Sequence, residues 1–110
     1  MLAYNKQGYN KGGYYSMNQI DLKGRRAVVT GAAQGIGLCI TQRLLASGAQ
    51  VCLWDQDAAL LEETCQELTG SSVFSTTVDV TDSNAVVAAA QQTISDLGGI
   101  DILVNNAGIA

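Results

Sequence analysis

A glycine-rich segment in the first half of the chain has the composition of a phosphate-binding loop. Residues 30–37 read TGAAQGIG, with Gly31, Gly35 and Gly37 at fixed spacing. Glycines allow a tight turn and let backbone N–H groups approach an anion closely, and the start of a following helix adds free amides and a positive dipole. A packing glycine or a plain turn would give the same pattern, so the position between a strand and a helix matters. The segment is a candidate site for the diphosphate of a dinucleotide.

An acidic residue follows where such a dinucleotide would place its adenosine ribose. Asp55 stands 18 residues after Gly37, at the end of an apolar run. A carboxylate there accepts hydrogen bonds from both ribose hydroxyls and repels a 2′-phosphate. Gln56 follows it and Gln34 lies in the glycine-rich segment, so no basic side chain is present to neutralise that phosphate, and NAD is predicted over NADP. The alternative is that Asp55 caps the next helix, a role that Asp57 could fill alone.

Two further motifs end later apolar runs, and each has two interpretations. Asp79 and Val80 could meet an adenine, or Asp79 could belong to the capping cluster of the next helix. Residues 105–108 read NNAG. Their amides and small side chains could line a ribose, or they could form an ordinary Asn/Gly turn.

These motifs need strands and helices to position them. Residues 27–30, 51–54 and 102–104 are short apolar runs that predict strands buried on both faces, whereas 73–80 is more polar and predicts a strand nearer a sheet edge. Helical patterns separate the runs. The order β-α-β-α-β-α-β predicts an α/β fold with a doubly wound parallel sheet.

The three predicted helices have start and stop signals and apolar faces. The first ends at Gly48, the second runs from about residue 57 to 68 with Gly70 as its stop, and the third ends at Gly98. The third opens on the capping cluster at residues 81–83. The inward-facing positions predicted for the first and third helices are Ile36, Ile40, Leu44, Val86, Ala90, Ile94 and Leu97.

Composition narrows the class of protein. The 110 residues are 47% hydrophobic and carry a net charge of −4, which suits one small domain and disfavours nucleic acid as a partner. No apolar run is long enough to span a membrane, so the prediction is cytoplasmic. The three cysteines form no CxxC pair and histidine is absent, which predicts no metal site, no His-based triad and three buried cysteines. Residues 1–19, rich in Tyr, Gly and Asn, are expected to be a disordered tail, and 20–110 the folded domain.

Taken together, the four motifs resemble the short-chain dehydrogenase/reductase family, and in particular its 3-oxoacyl-carrier-protein reductase-like members. The resemblance implies a Rossmann-type fold and a hydride transfer between a nicotinamide cofactor and an alcohol or carbonyl substrate, in a homo-oligomer. It also implies cofactor contacts at the diphosphate, adenosine ribose, adenine and second ribose, and gives Asn105 the role of bracing the sheet. The residues concerned are, in chain order, Gly31, Gln34, Gly35, Ile36, Gly37, Asp55, Asp79, Val80, Asn106, Ala107 and Gly108.

One departure from the family bears on activity. Family members carry a serine and a Tyr-x-x-x-Lys motif after NNAG, but here no tyrosine follows Tyr15 and no lysine follows Lys23. We therefore expect an N-terminal cofactor-binding half without catalytic residues, inactive by itself, whose fourth strand has a bare outer edge that promotes association. One alternative is a non-catalytic NAD-binding or interaction module. Another is an S-adenosylmethionine-dependent methyltransferase, against which the Thr-Gly opening and NNAG argue.

Overall fold

The computed structural model describes residues 20–68 and 73–108, in which strands and helices alternate as the sequence predicts. The elements are β1 (Arg26–Thr30), α1 (Gly35–Ala46), β2 (Gln50–Asp55), α2 (Ala58–Glu67), β3 (Val73–Thr77), α3 (Ser83–Leu97) and β4 (Ile102–Val104). The four strands form one parallel sheet in the order β3-β2-β1-β4. The predicted α/β, Rossmann-like architecture is confirmed. The predictions for the tail at 1–19 and for Gly70 lie outside the described residues.

The two central strands are buried because helices cover both faces of the sheet. Residues that alternate along β1 and β2 point into two separate apolar clusters. On one face Val29 and Leu53 pack under α1 and α2, and on the other Val28 and Cys52 pack under α3. All four side chains are fully buried. This two-sided cover explains why both strands consist of continuous apolar runs.

β3 lies at the sheet edge, as its polar sequence predicts, but it is shorter than expected. Its pairing with β2 ends where Asp55 meets Thr77. The Val78 amide still donates to the Asp55 carbonyl at 2.9 Å, and the chain then turns at Asp79. The predicted strand over 73–80 is therefore wrong in its last three residues, because β2 offers no further partner beyond its own end.

β4 is less buried than its apolar sequence predicts. The Leu103 side chain is 64% exposed, whereas Ile102 and Val104 pack against the cluster under α1 and α2. Leu103 points to the opposite face of the sheet, where α3 lies over β2 and β3 rather than over β4. The expectation of a strand buried on both faces is wrong for β4 within the described part of the chain.

The helix ends follow the predicted capping residues. The Asp57 carboxylate accepts from the Leu60 amide at 3.0 Å and starts α2. The Asp82 carboxylate accepts from the amides of Asn84 and Ala85 and starts α3, which ends at Gly98 with a φ of 89°. Within residues 20–68 and 73–108, no helix combines the length and hydropathy needed to cross a membrane.

The inward faces of α1 and α3 differ from the prediction at single positions. Ile36 is 72% exposed and Ile94 is 49% exposed, whereas Thr41 and Thr93 are fully buried. The Thr41 and Thr93 hydroxyls donate to the carbonyl four residues earlier in their own helices, at 2.9 and 2.8 Å. A satisfied hydroxyl can be buried at little cost, which hydropathy alone does not register.

The buried-cysteine prediction holds at one of three positions. Cys52, on a central strand, is buried, and burial raises the pKa of its thiol. Cys65 is half-buried on α2, and Cys39 is exposed on α1. Cys39 lies on a different face of α1 from the buried Gly37 and Thr41, so its apolar sequence neighbours do not cover it.

An ion pair ties the start of β1 to the residue before β4. The Arg26 guanidinium donates to both carboxylate oxygens of Asp101, at 2.9 and 3.2 Å, and the backbone groups of the two residues are bonded as well. The hydrogen bond from the Arg26 side chain holds the pKa of Asp101 below its usual value. The pair therefore fixes β4 against β1 at the amino end of the sheet.

We expect Asp101→Asn to lower the melting temperature near neutral pH, and the difference from the wild type to shrink in acid. The folded-state pKa is depressed, so the pair contributes fully above the unfolded value of about 3.9 and is lost as the pH falls through the lower folded value. Thermal melts of both proteins from pH 7 to pH 3 measure this. Glu63→Gln, which removes an exposed carboxylate from α2, is the charge control. A gap that does not change with pH would contradict the assignment.

Candidate functional site

The predicted motifs meet at the carboxyl end of the sheet, around the end of β1. The chain runs from β1 to β2 on one side, and β4 pairs with β1 on the other. The segments 30–37 and 105–108 therefore leave adjacent strands, with Asp55 at the end of the next strand. In open α/β sheets, ligands bind outside the carboxyl ends of the strands at such a reversal of strand order.

The conformation of residues 30–37, called here the glycine loop, requires its glycines. Gly31 and Gly35 have φ values of 63° and 61°, in the left-handed region that favours glycine. A Cβ on Gly37 would lie 2.1 Å from the Gly31 carbonyl oxygen and 2.6 Å from Asn106 Nδ2. A Cβ on Gly35 would meet no other atom within 4 Å. The loop thus packs tightly against its own helix at Gly37 and faces open space at Gly35.

The start of α1 offers unpartnered backbone amides. The Ala32 amide donates to the Trp54 carbonyl and the Ala33 amide to the Asp55 carboxylate. Among the described residues, no partner is found for the N–H groups of residues 34–37. Gln34 provides no side-chain cap, and the first turn of α1 contains no acidic residue. Consecutive free amides at a helix N-terminus fit an anionic group.

Asp55 turns toward the glycine loop. Its Oδ2 accepts from the Ala33 amide at 3.0 Å and its Oδ1 from the Asp57 amide at 3.0 Å. Each oxygen keeps a second lone pair for a further donor such as a ribose hydroxyl. The capping role belongs to Asp57, as the sequence allowed, but Asp55 is not free, because it also holds the loop.

NNAG is bound to the glycine loop through Thr30, which opens the predicted segment but was not among the predicted cofactor contacts. The Thr30 hydroxyl accepts from the backbone amides of Asn106 and Ala107, both at 2.9 Å, and lies 3.3 Å from Asn105 Oδ1. Asn106 Nδ2 donates to the Gly31 carbonyl at 3.3 Å. Asn106, predicted to line the ligand path, therefore also braces the loop. In the sequence, the feature that could have indicated this role for Thr30 is its hydroxyl at the very end of a buried strand.

Asp79 lies after β3, and its carboxylate is partly engaged. Its Oδ1 accepts from the Thr81 amide at 2.9 Å and from the Thr81 hydroxyl at 2.7 Å. The hydroxyl bond, followed by the amide bond, lowers the pKa of Asp79. Val80 packs against the cluster under α3. Asp79 therefore takes part in the turn before α3, and no donor to Oδ2 is found among the described residues. Within 20–68 and 73–108, no three His, Cys, Asp or Glu side chains form a metal cluster.

We expect Thr30→Val to release NNAG from the glycine loop. Thr30 is 4% exposed, and two part-buried amides would lose its hydroxyl as their acceptor, at a cost of about 1–3 kcal/mol in the free energy of unfolding. Urea unfolding measures the loss, and faster hydrogen exchange at the amides of Asn106 and Ala107 would localise it. Thr30→Ser keeps the hydroxyl and should recover most of the stability. A Thr30→Val variant as stable as the wild type, with unchanged exchange at these two amides, would contradict the role given to the hydrogen bonds.

Comparison with known proteins agrees with this geometry. The pattern of the short chain dehydrogenase family matches residues 25–110. Galactitol 2-dehydrogenase (L-tagatose-forming) of Cereibacter sphaeroides is 45% identical over 89 residues, which are 81% of this chain and 35% of that enzyme. The 1-deoxy-11-beta-hydroxypentalenate dehydrogenase of Streptomyces exfoliatus is 43% identical over 90 residues, 80% of this chain and 33% of that enzyme.

A solved structure gives the same result. The 3-ketoacyl-(acyl-carrier-protein) reductase of Brucella melitensis, complexed with NADH, superposes with a TM-score of 0.76 at 36% identity, over 81% of this chain and 36% of that protein. The chain spans about a third of the length of the curated relatives it matches. With the family pattern matched over most of the chain and a parallel sheet that superposes on a solved member, this chain belongs to the short-chain dehydrogenase family.

Proposed function

We propose that this chain is the dinucleotide-binding part of an NAD-dependent oxidoreductase acting on an alcohol/carbonyl pair. The observation that carries the proposal is the row of amides at residues 34–37, which have no partner within 20–68 and 73–108, beside a carboxylate that contacts the same loop. Amides fit a diphosphate and the carboxylate fits a ribose diol. The family has oxidoreductase members, and the Brucella relative was solved with NADH.

Each part of the cofactor has a matching group on this chain. The diphosphate would lie on the amides of residues 34–37, with Gly31, Gly35 and Gly37 permitting the approach and the exposed Ile36 side chain covering it. Asp55 would hold the adenosine ribose. Asp79 Oδ2, to which no described residue donates, and the Val80 backbone would meet the adenine. The second ribose would pass residues 106–108. When bound, the nicotinamide supplies or accepts the hydride.

Charge favours NAD over NADP in this proposal. All six lysines and arginines precede residue 44 in the sequence. The glycine loop, β2 and α2 therefore contribute no basic side chain that could pair with a 2′-phosphate near Asp55. A phosphate there would meet a carboxylate with no compensating cation, which is unfavourable by simple Coulomb repulsion.

The proposal also covers the substrate class, the oligomeric state and the location of the protein. The relatives include a galactitol 2-dehydrogenase and a 1-deoxy-11-beta-hydroxypentalenate dehydrogenase. We extend to this protein a small-molecule alcohol or carbonyl substrate, a homo-oligomeric state and a cytoplasmic location. Membership of the family favours a nicotinamide cofactor over S-adenosylmethionine. A non-catalytic NAD-binding module remains the alternative function.

Calorimetric titration tests the proposal. We expect NAD to bind the full chain with one site per chain, NADP to bind more weakly, and S-adenosylmethionine not to compete. Absence of binding by both NAD and NADP to folded protein would overturn the proposal. A screen of secondary alcohols for NADH formation then separates an oxidoreductase from a binding module, because the module binds NAD without turnover.

A further inference from the structure

Both polar backbone groups of Ala33, in the middle of the glycine loop, are held by the β2–α2 unit. The Ala33 amide donates to Asp55 Oδ2 at 3.0 Å. The Ala33 carbonyl accepts from the Thr64 hydroxyl on α2 at 2.7 Å. Ala33 is 2% exposed and Thr64 is 4% exposed, so water does not compete for either group. The peptides on both sides of Ala33 are therefore fixed by contacts from outside the loop.

The carbonyl contact also sets the direction of the next amide. The peptide group is planar and trans, so the Ala33 carbonyl and the Gln34 N–H point in opposite directions. Because the carbonyl points inward to Thr64, the Gln34 N–H points away from α2 and out of the core. Gln34 is the N-cap of α1, and its N–H begins the unpartnered row at residues 34–37.

The Thr64 hydroxyl has its acceptor outside its own helix. It donates to a carbonyl 31 residues away in sequence. A valine would fill the same volume, so packing on α2 does not require the hydroxyl. The contact with the loop is what the hydroxyl adds.

We propose that Thr64 is a positioning residue that orients the amide row at the start of α1 for an anionic ligand. This inference rests on the proposed function for the identity of the ligand. The geometric part of the inference is independent of the proposed function, because it concerns the Ala33–Gln34 peptide alone. Thr64 is separated from the amide row by the buried Ala33 peptide and acts only through it.

Thr64→Val and Thr64→Ser separate the hydroxyl from the side-chain volume. We expect Thr64→Val to weaken binding of ADP and of NAD about tenfold, the loss that one misdirected hydrogen bond gives. Thr64→Ser keeps the donor and should stay within about twofold of the wild type. Thr41→Val is the matched control, because it removes a fully buried threonine hydroxyl whose acceptor is a carbonyl of its own helix.

Hydrogen exchange and NMR in the ligand-free full chain give a readout independent of nucleotide. Thr64→Val should speed exchange of the Ala33 amide and shift the Gln34 resonance, whereas Thr41→Val should change neither. If the wild type binds no nucleotide but these changes occur, the proposed function fails and the positioning role stands. If Thr64→Val binds ADP like the wild type and leaves both resonances unchanged, the positioning role is wrong.

A wild-type measurement covers the case in which Thr64→Val does not fold. On titration with ADP, the Gln34 amide resonance should shift and gain protection, because its N–H points outward toward the ligand. The Ala33 amide, already bonded to Asp55, should change much less. A Gln34 resonance that does not respond while ADP binds elsewhere on the protein would overturn the proposal.

Discussion

Gly37→Ala is expected to abolish dinucleotide binding and to lower the free energy of unfolding by about 3 kcal/mol. The added Cβ would lie 2.1 Å from the Gly31 carbonyl oxygen and 2.6 Å from Asn106 Nδ2. The Asn106 amide group can rotate away, but Gly31 is a backbone position in a tight turn and cannot move freely. Gly31 would therefore have to shift away from the start of α1, which displaces the amide row.

Urea unfolding and calorimetric titration with NAD measure the two effects. Gly35→Ala is the informative comparison, because its Cβ meets nothing within 4 Å but its φ of 61° is strained for alanine. That strain costs about 1–2 kcal/mol without pushing Gly31 away from α1. Gly108→Ala, with an open position and no positive φ, should leave stability unchanged. If Gly37→Ala were as stable as Gly108→Ala, the close packing described here would be incorrect.

Asp55→Ala is expected to weaken NAD binding about 100-fold, the effect of losing two hydrogen bonds to a charged acceptor. NADP should lose much less, since the variant also removes the charge that repels a 2′-phosphate. The preference for NAD over NADP should therefore fall or invert. Part of the loss has a second cause, because the Ala33 amide also loses its acceptor.

Two asparagine variants separate charge from geometry at this position. Asp55→Asn removes the charge and can keep only one of its two backbone bonds, and we expect NAD binding about tenfold weaker. Asp57→Asn removes the same charge two residues away, and asparagine is as good an N-cap, so binding should stay within about twofold. Calorimetric titrations of both variants with NAD and NADP measure these affinities. Equal effects of the two variants would mean that general charge, rather than a contact at Asp55, controls affinity.

The variants at Asp55, Thr30 and Thr64 act on one connected set of hydrogen bonds. Thr30 joins β1 to NNAG, Asn106 joins NNAG to Gly31, and Asp55 and Thr64 hold the centre of the glycine loop at Ala33. Effects of neighbouring members should not be additive. A double variant of Thr30 and Thr64 measured against both single variants would show the coupling directly.

The sequence by itself was enough for the element order, the caps and the positions of the motifs. The continuous apolar runs of β1 and β2 indicate strands covered on both faces, and Asp57, Asp82 and Gly98 mark helix ends because capping chemistry is local. Glycines between a buried strand and an amphipathic helix have few structural interpretations. These features depend on residues close in sequence, which is why they can be predicted from it.

Tertiary structure decided which side chains meet. The exposure of Leu103 depends on where α3 lies, and the end of β3 depends on the length of β2. The roles of Thr30 and Thr64 depend on contacts between segments 76 and 31 residues apart, which no local pattern specifies. A buried threonine looks the same in sequence whether it bonds its own helix or a distant loop. Only the packing of α2 against the glycine loop distinguishes the two, because a hydrogen bond needs its donor and acceptor within about 3 Å.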